Sequence, residues 1–267
     1  MRKLTIQGIG ILGLFFFTWF ALSEVDWMKL FNVNHVTRST EEKLGELFWD
    51  WFKKAEKEVE NEKIIRSIDS ILVRICDSNY IDKTYVKMHI VVNEEVNAFA
   101  LPDEHLILYT GLLKAARNES ELSGVICHEL AHMQLNHVTK KLIKETGLSV
   151  LISMTTGNNA GDLIKEAAKM LSSTAYDRKL EKEADIVAAD YLIQSGLSPV
   201  GYADFLSRLS ENYSDAEKNL TWISTHPESK KRAEYIREHR TGEPQSPKAI
   251  LSEASWNEFK AALNENP

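Results

Sequence analysis

The segment His128-Glu129-Leu130-Ala131-His132 constrains this chain more than any other. Two imidazoles four residues apart lie on one face of a helix of 3.6 residues per turn, so both can reach one metal ion. Glu129 then stands beside the open coordination position, where its carboxylate can take a proton from a water activated for attack on a polarised carbonyl. The five-residue pattern arises by chance in roughly one chain in a hundred of this length, so the surrounding sequence has to decide whether it marks a site.

The surroundings favour one. Asn118 can cap a helix whose third position is Glu121, and Leu122, Val125, Ile126, Leu130 and Met133 recur at helical spacing. Neither Gly nor Pro occurs between Val125 and Lys144, which predicts one continuous helix there. The histidines fall on its apolar face, where an uncoordinated His pair flanking a Glu is costly to bury. His137, five residues beyond His132, is turned about 140° away on such a helix and reads as solvent-facing or as part of the last turn, not as a ligand.

A catalytic zinc takes three protein ligands and keeps one place open. The third donor is sought in Leu180-Glu181-Lys182-Glu183-Ala184-Asp185-Ile186-Val187-Ala188. Leu180, Ala184, Val187 and Ala188 define an apolar stripe, and Glu181 and Asp185 stand at i and i+4 along its edge. Taken alone, this charged run reads as a solvated face. With the upstream motif, it reads as Glu181 for the third ligand and Asp185 as acceptor of the second ring N–H of a ligand histidine.

These residues carry a family resemblance. His128-Glu129-x-x-His132 followed by Arg178-x-x-Glu181-x-x-Ala184-Asp185 resembles the zinc metallopeptidases that include the CAAX prenyl protease, the bacterial HtpX heat-shock protease and the mitochondrial Oma-type proteases. Asn97-Ala98-Phe99-Ala100-Leu101-Pro102 with Leu108-Tyr109-Thr110-Gly111-Leu112-Leu113 resembles the segment before their metal helix, and Ser224-Thr225-His226-Pro227-Glu228-Ser229 with Arg232 resembles their distal His-Pro segment. Asp103-Glu104 departs from the Gly-Gly usual in the family, and Asp177 from its Ser.

The resemblance implies an α+β, mainly α, zincin-like (gluzincin) domain with a small β-sheet beside the motif helix. It implies one Zn2+ per chain on His128, His132 and Glu181, with Glu129 as general base and then proton donor. His226 would lie near the metal, either stabilising the developing oxyanion or capping the resting site. Arg232 and Arg178 would pair with buried carboxylates such as Asp185 or Glu183. Asn97, Ala98 and Phe99 would form the edge strand that takes a polypeptide substrate as an added strand, Phe99 being equally readable as core.

Composition frames this reading. The chain has 267 residues, 43% of them hydrophobic, enough for one domain of about 200 residues with appendages. A net charge of −7 argues against a nucleic-acid partner. Cys76 and Cys127 have no ligand spacing, and a disulfide between them is not expected. Met1-Arg2-Lys3 precedes an uncharged run, Leu4 to Leu22, long enough to span a bilayer, while Ala21-Leu22-Ser23 fits a cleavage site. Residues 1–23 are therefore a signal anchor or a cleavable signal, and the rest is exported, periplasmic or otherwise extracytoplasmic and membrane-associated.

The remaining organisation is a helical region from Glu41 to Tyr80 and strands at 88–92, 96–100 and 106–109. The metal helix follows, then an apolar stretch at 148–161 read as a lid or membrane-facing loop, a helical region from Leu163 to Gln194, and helices at 202–212 and 229–239. Residues 40–240 form the metallopeptidase domain, and 241–267 a linker and short helix. The function expected is a zinc endopeptidase acting on membrane-associated or misfolded exported proteins. The alternative is a chaperone-like or substrate-binding protein with a latched or structural zinc. Glu129 favours the enzyme, since a structural site has no use for it and would be closed by a fourth ligand.

Overall fold

Periodic burial along the first two helices builds the floor of the domain. In this computed structural model, which describes residues 12, 14–18, 38–156, 161–211, 221–239, 242–244 and 246–265, helix α1 (Arg38–Ala55) buries Leu44, Phe48 and Phe52 at i, i+4 and i+8. Helix α2 (Glu62–Ser78) starts at Asn61, whose side chain accepts from the Lys63 N–H at 3.1 Å, and buries Ile64, Ile68, Ile71, Leu72 and Ile75. Each such side chain contributes about 1.5–3 kcal/mol when fully buried. The expected helical stretch from 41 to 80 is thus two helices, because the segment between them joins a sheet: Val59 N–H donates to Ile90 O and Val92 N–H to Lys57 O, both at 2.8 Å.

That sheet has three strands, β1 (Lys87–Val91), β2 (Ala98–Leu101) and β3 (His105–Tyr109), in the order β1-β3-β2, with β1 parallel and β2 antiparallel to β3. Residues 57–59 lie along β1, and β2 forms the opposite edge. The β2–β3 turn places Asp103 and Glu104 in the left-handed region, with φ of 60° and 57°. This is backbone that Gly adopts without strain and that Asp and Glu adopt at a cost.

Helices α3 (Thr110–Ala115) and α4 (Glu119–Gln134) follow, and α4 is the motif helix. Asn118 caps it by accepting from Glu121 N–H at 2.9 Å, while Glu121 Oε2 accepts from Arg117 N–H at 2.8 Å. Nearly every residue of α4 is buried, including Val125, Ile126 and Leu130. The helix ends at Leu135. Asn136, at φ 55° and ψ 31°, takes a single left-handed step into α5 (His137–Thr146), so the predicted continuous helix is two.

The stretch expected as a loop is also helical, forming α6 (Leu148–Thr156), and α7 (Gly161–Ser173) packs on β2 and α1. Helix α8 (Arg178–Gln194) lies along α4, and α9 (Val200–Glu211) packs on α4 as well. The burial stripe of α8 runs through Glu181, Ala184, Asp185, Ala188, Ala189 and Leu192, so the two carboxylates lie within the buried face and not on its edge.

The short α10 (Thr221–Thr225) and α11 (Ser229–Glu238) precede α12 (Glu253–Glu265). Phe259 and Leu263 of α12 are buried, and the helix rests on α2 and α3, where Lys260 Nζ donates to the carbonyls of Leu113, Lys114 and Ala116. Cys76 and Cys127 are buried free thiols, although α2 and α4 are in contact.

Residues 38–267 form one compact unit and residues 1–37 another. In the second of these, Leu12 and residues 14–18 are helical, with Leu12, Leu14, Phe15, Phe16 and Phe17 exposed. The rest of the expected anchor or signal at 1–23 lies outside the described residues. Among the described residues no helix is long and apolar enough to cross a membrane. The architecture is α+β, mainly α, with a small sheet beside the motif helix, as the sequence predicts.

Candidate metal centre

Three elements converge on one point inside the domain: α4 brings His128 and His132, α8 brings Glu181, and the turn after α10 brings His226. One donor atom from each of the four lies within 4.8 Å of the others, and all four side chains are buried. His132 Nε2 is 3.0 Å from His128 Nε2 and 3.3 Å from Glu181 Oε1. His226 Nδ1 is 3.2 Å from His128 Nε2 and 3.0 Å from Glu181 Oε1.

The electrostatics fit a metal. Burial, with the neighbouring His128, pushes His132 down to about 4. Burial pushes His226 down to about 3 against the pull of Glu181. Burial opposes ionisation of Glu181, but His226 and Arg232 together hold its carboxyl well below the usual range. The donor set is imidazole nitrogens and one carboxylate, the N/O set that zinc accepts. Beside it, both oxygens of the buried Glu129 carboxylate lack a hydrogen-bond partner, and His226 Nε2 is 3.5 Å from Oε1. Burial, and then the charge of Glu181, hold the Glu129 carboxyl well above its ordinary value. An orphaned buried carboxylate of this kind is what a site that handles protons would hold.

The ligands are held from behind. His128 Nδ1 lies 3.0 Å from Asp185 Oδ1. Asp185 also accepts from Tyr202 Oη at 2.9 Å and from Tyr235 Oη, and Arg232 binds Asp185 while reaching Glu181 Oε2 at 2.7 Å. Burial works against the charge on Asp185, yet Arg232 and His128 bring its carboxyl below the usual range. Tyr202 can come this close because Gly124 stands opposite: a Cβ there would lie 2.3 Å from the Tyr202 Cβ. The rings of Trp222 and Tyr176 flank the site, Trp222 stacked on His226 with centroids 3.9 Å apart and Tyr176 on His132 at 4.1 Å.

The family model for peptidase family M48 matches residues 59–240, about two thirds of the chain and all of these groups. The chain belongs to peptidase family M48. Its curated M48 relatives include the mitochondrial metalloendopeptidase OMA1 of Arabidopsis thaliana, 30% identical over 55% of this chain and 30% of that protein. The metalloprotease LoiP of Escherichia coli is 27% identical over 62% of this chain and 67% of its own length. The beta-barrel assembly-enhancing protease of Yersinia pestis is 25% identical over 61% of this chain and 37% of its own. The chain thus spans 30% and 67% of the first two of these relatives.

Within this M48 domain most of the expected residues meet. His128, His132, Glu181 and His226 form the cluster, Glu129 lies beside it, and Asp185 and Arg232 stand behind. Arg232 pairs with Asp185 and Glu181, not with Glu183. Arg178 does not join them: it opens α8, where the helix leaves the core, and its largely exposed guanidinium reaches Glu228 at 3.4 Å. Asn97, just before β2, and Ala98 and Phe99 at its start are buried, with Asn97 Nδ2 donating to Ser172 O of α7 at 3.2 Å and Phe99 packed between Phe52 and Tyr109.

His137 corrects the sequence reading. It is fully buried and meets His132, because the left-handed Asn136 turns it back toward the motif. An Asn in that position is a signal for such a step. Tyr202, Tyr235, Trp222 and Tyr176 were not legible as site residues, since nothing in their spacing ties them to the motif.

Proposed function

We propose that this chain is a zinc-dependent endopeptidase that hydrolyses polypeptides, with His128, His132 and Glu181 holding the metal. The observation that carries the reading is Glu129, buried beside the four-donor cluster with neither carboxylate oxygen satisfied. A purely structural metal site gives such a group no task.

When bound, the metal supplies Lewis acidity to a substrate carbonyl and to a water. Glu129 takes a proton on a carboxylate oxygen and returns it to the leaving amine, its position beside the cluster suiting both halves of that task. Asp185 orients His128 through Nδ1, and Arg232 keeps Asp185 and Glu181 ionised in a buried setting. The β2 edge, beside α4, is the place for a substrate strand, with Asn97 just before it and Ala98 and Phe99 at its start. Helix α7 rests on that edge here, so substrate entry involves moving it.

A second observation supports a capped resting state. His226 brings a fourth protein donor to the cluster; bound to the metal with His128, His132 and Glu181, it would occupy the place that substrate needs. In this reading the resting enzyme is capped and His226 is its cap, with the four-donor cluster as support. This accounts for the features that a latched site shares with a structural one. Substrates are proposed to be membrane-associated or misfolded proteins outside the cytoplasm, on the support of the apolar run from Leu4 to Leu22.

The test is proteolysis of a reduced, alkylated protein by the purified chain. Cleavage is expected to stop on chelation and to return with stoichiometric zinc. Binding of the unfolded protein without cleavage, in the zinc-loaded form, favours the chaperone-like reading.

A further inference from the structure

The ring nitrogens of the two motif histidines that face away from the cluster meet unlike partners. His128 Nδ1 faces the Asp185 carboxylate at 3.0 Å. His132 Nδ1 lies 3.0 Å from Nδ1 of His137. His137 is fully buried, and its Nε2 makes no hydrogen bond, the Glu183 carboxylate standing 3.6 Å off. The single hydrogen bond of this buried ring is spent on a motif histidine.

We propose that His137 is a positioning residue for His132, its Nδ1 accepting the proton of His132 Nδ1–H so that His132 Nε2 is left free to bind metal. The inference rests on the reading of His132 as a ligand. Two facing Nδ1 atoms share one proton. Were it on His137, the proton of His132 would sit on Nε2, 3.0 Å from His128 Nε2 and 3.3 Å from Glu181 Oε1, and would block the metal side. With the proton on His132 Nδ1, both motif rings turn an unprotonated Nε2 to the cluster. A partner behind a ligand histidine fixes its tautomer and its ring plane.

The backbone is built for this contact. A straight helix would turn His137 about 140° from His132. The one left-handed residue, Asn136, ends α4 and starts α5 with His137 at its first position, against the back of the His132 ring. The Tyr176 ring stacks on His132, so that ring is clamped by one hydrogen bond and one aromatic face. The two ligand histidines are consequently unequal, one backed by an anion held in an ion pair and the other by a neutral ring.

The test measures zinc affinity of the full chain by competition with a chromophoric chelator, alongside the visible spectrum of the cobalt-substituted protein. His137→Asn keeps an acceptor near the Nδ1 position, His137→Gln carries its amide beyond it, and His137→Leu has none. Leu and Gln variants are expected to bind zinc roughly ten- to a hundredfold more weakly with shifted cobalt bands, while Asn stays within about threefold of wild type. Wild-type affinity in the Leu and Gln variants overturns the inference, and so does an Asn variant as weak as Gln, which marks a packing role alone. If the Leu variant does not fold, the Asn and Gln comparison decides. A wild-type chain that binds no zinc overturns the ligand reading itself, a result distinct from either.

Discussion

Arg232 holds Asp185 by both carboxylate oxygens, donating from Nε to Oδ2 and from Nη2 to Oδ1, each at 2.7 Å. Its remaining nitrogen reaches Glu181, so one guanidinium is shared between the carboxylate behind His128 and the carboxylate in the cluster. Arg232→Met leaves both acids buried without their cation. The expected loss is about 3–5 kcal/mol of folding stability in urea titrations. A loss below about 1 kcal/mol contradicts the assignment. Arg232→Lys is expected to recover little of it, because an ammonium cannot span both acids.

The contact between Gly124 and Tyr202 sets how closely α9 approaches α4. Gly124→Ala puts a methyl 2.3 Å from the Tyr202 Cβ and pushes the Tyr202 hydroxyl off Asp185. A destabilisation of about 1–3 kcal/mol is expected, read as a lower melting temperature. An unchanged melting temperature shows that the helices part without cost.

Away from the cluster, His89 Nε2 and His105 Nδ1 meet at 2.9 Å, with Trp49 stacked on His89 and Glu58 on its other nitrogen. Burial, then the neighbouring His89 and Lys87, push His105 from 6.5 down to about 3. A base whose folded pKa is lowered takes up its proton sooner in the unfolded chain. Its contribution is whole above pH 6.5 and is lost as the pH falls from there toward 3. His105→Phe is therefore expected to flatten the dependence of stability on pH in that window, by up to one proton in slope. Parallel curves for variant and wild type contradict this.

His226→Ala removes the fourth donor while leaving three. Zinc is expected to remain at one per chain, and the initial rate of cleavage of an unfolded protein to rise several-fold. A fall in rate with zinc retained shows instead that His226 acts on the developing oxyanion, with Nε2 near Glu129 as its working atom.

The legibility of this fold varies with how local its causes are. The Asn118 cap, the sheet and the i, i+4 pair Glu181 and Asp185 follow from spacing and side-chain chemistry, and the structure has them. The burial of His137 is hidden from helical periodicity because one left-handed residue, Asn136, reverses its direction. The pairing of Arg178 with Glu228 is not legible, because position in a helical turn does not say where a helix leaves the core. The break at residues 56–61 was invisible for a similar reason: its cause is pairing with β1, some thirty residues later. Trp222 and Tyr202 reach the site through tertiary packing alone, which no local pattern announces.

The central claim is that Glu129 moves the proton in metal-dependent peptide hydrolysis. Glu129→Gln is nearly isosteric and spares His128, His132, Glu181 and His226, so zinc content should equal that of wild type. Cleavage of a reduced, alkylated protein, followed by mass spectrometry, is expected to fall at least about a hundredfold. Equal cleavage by the two proteins at equal zinc content contradicts the account.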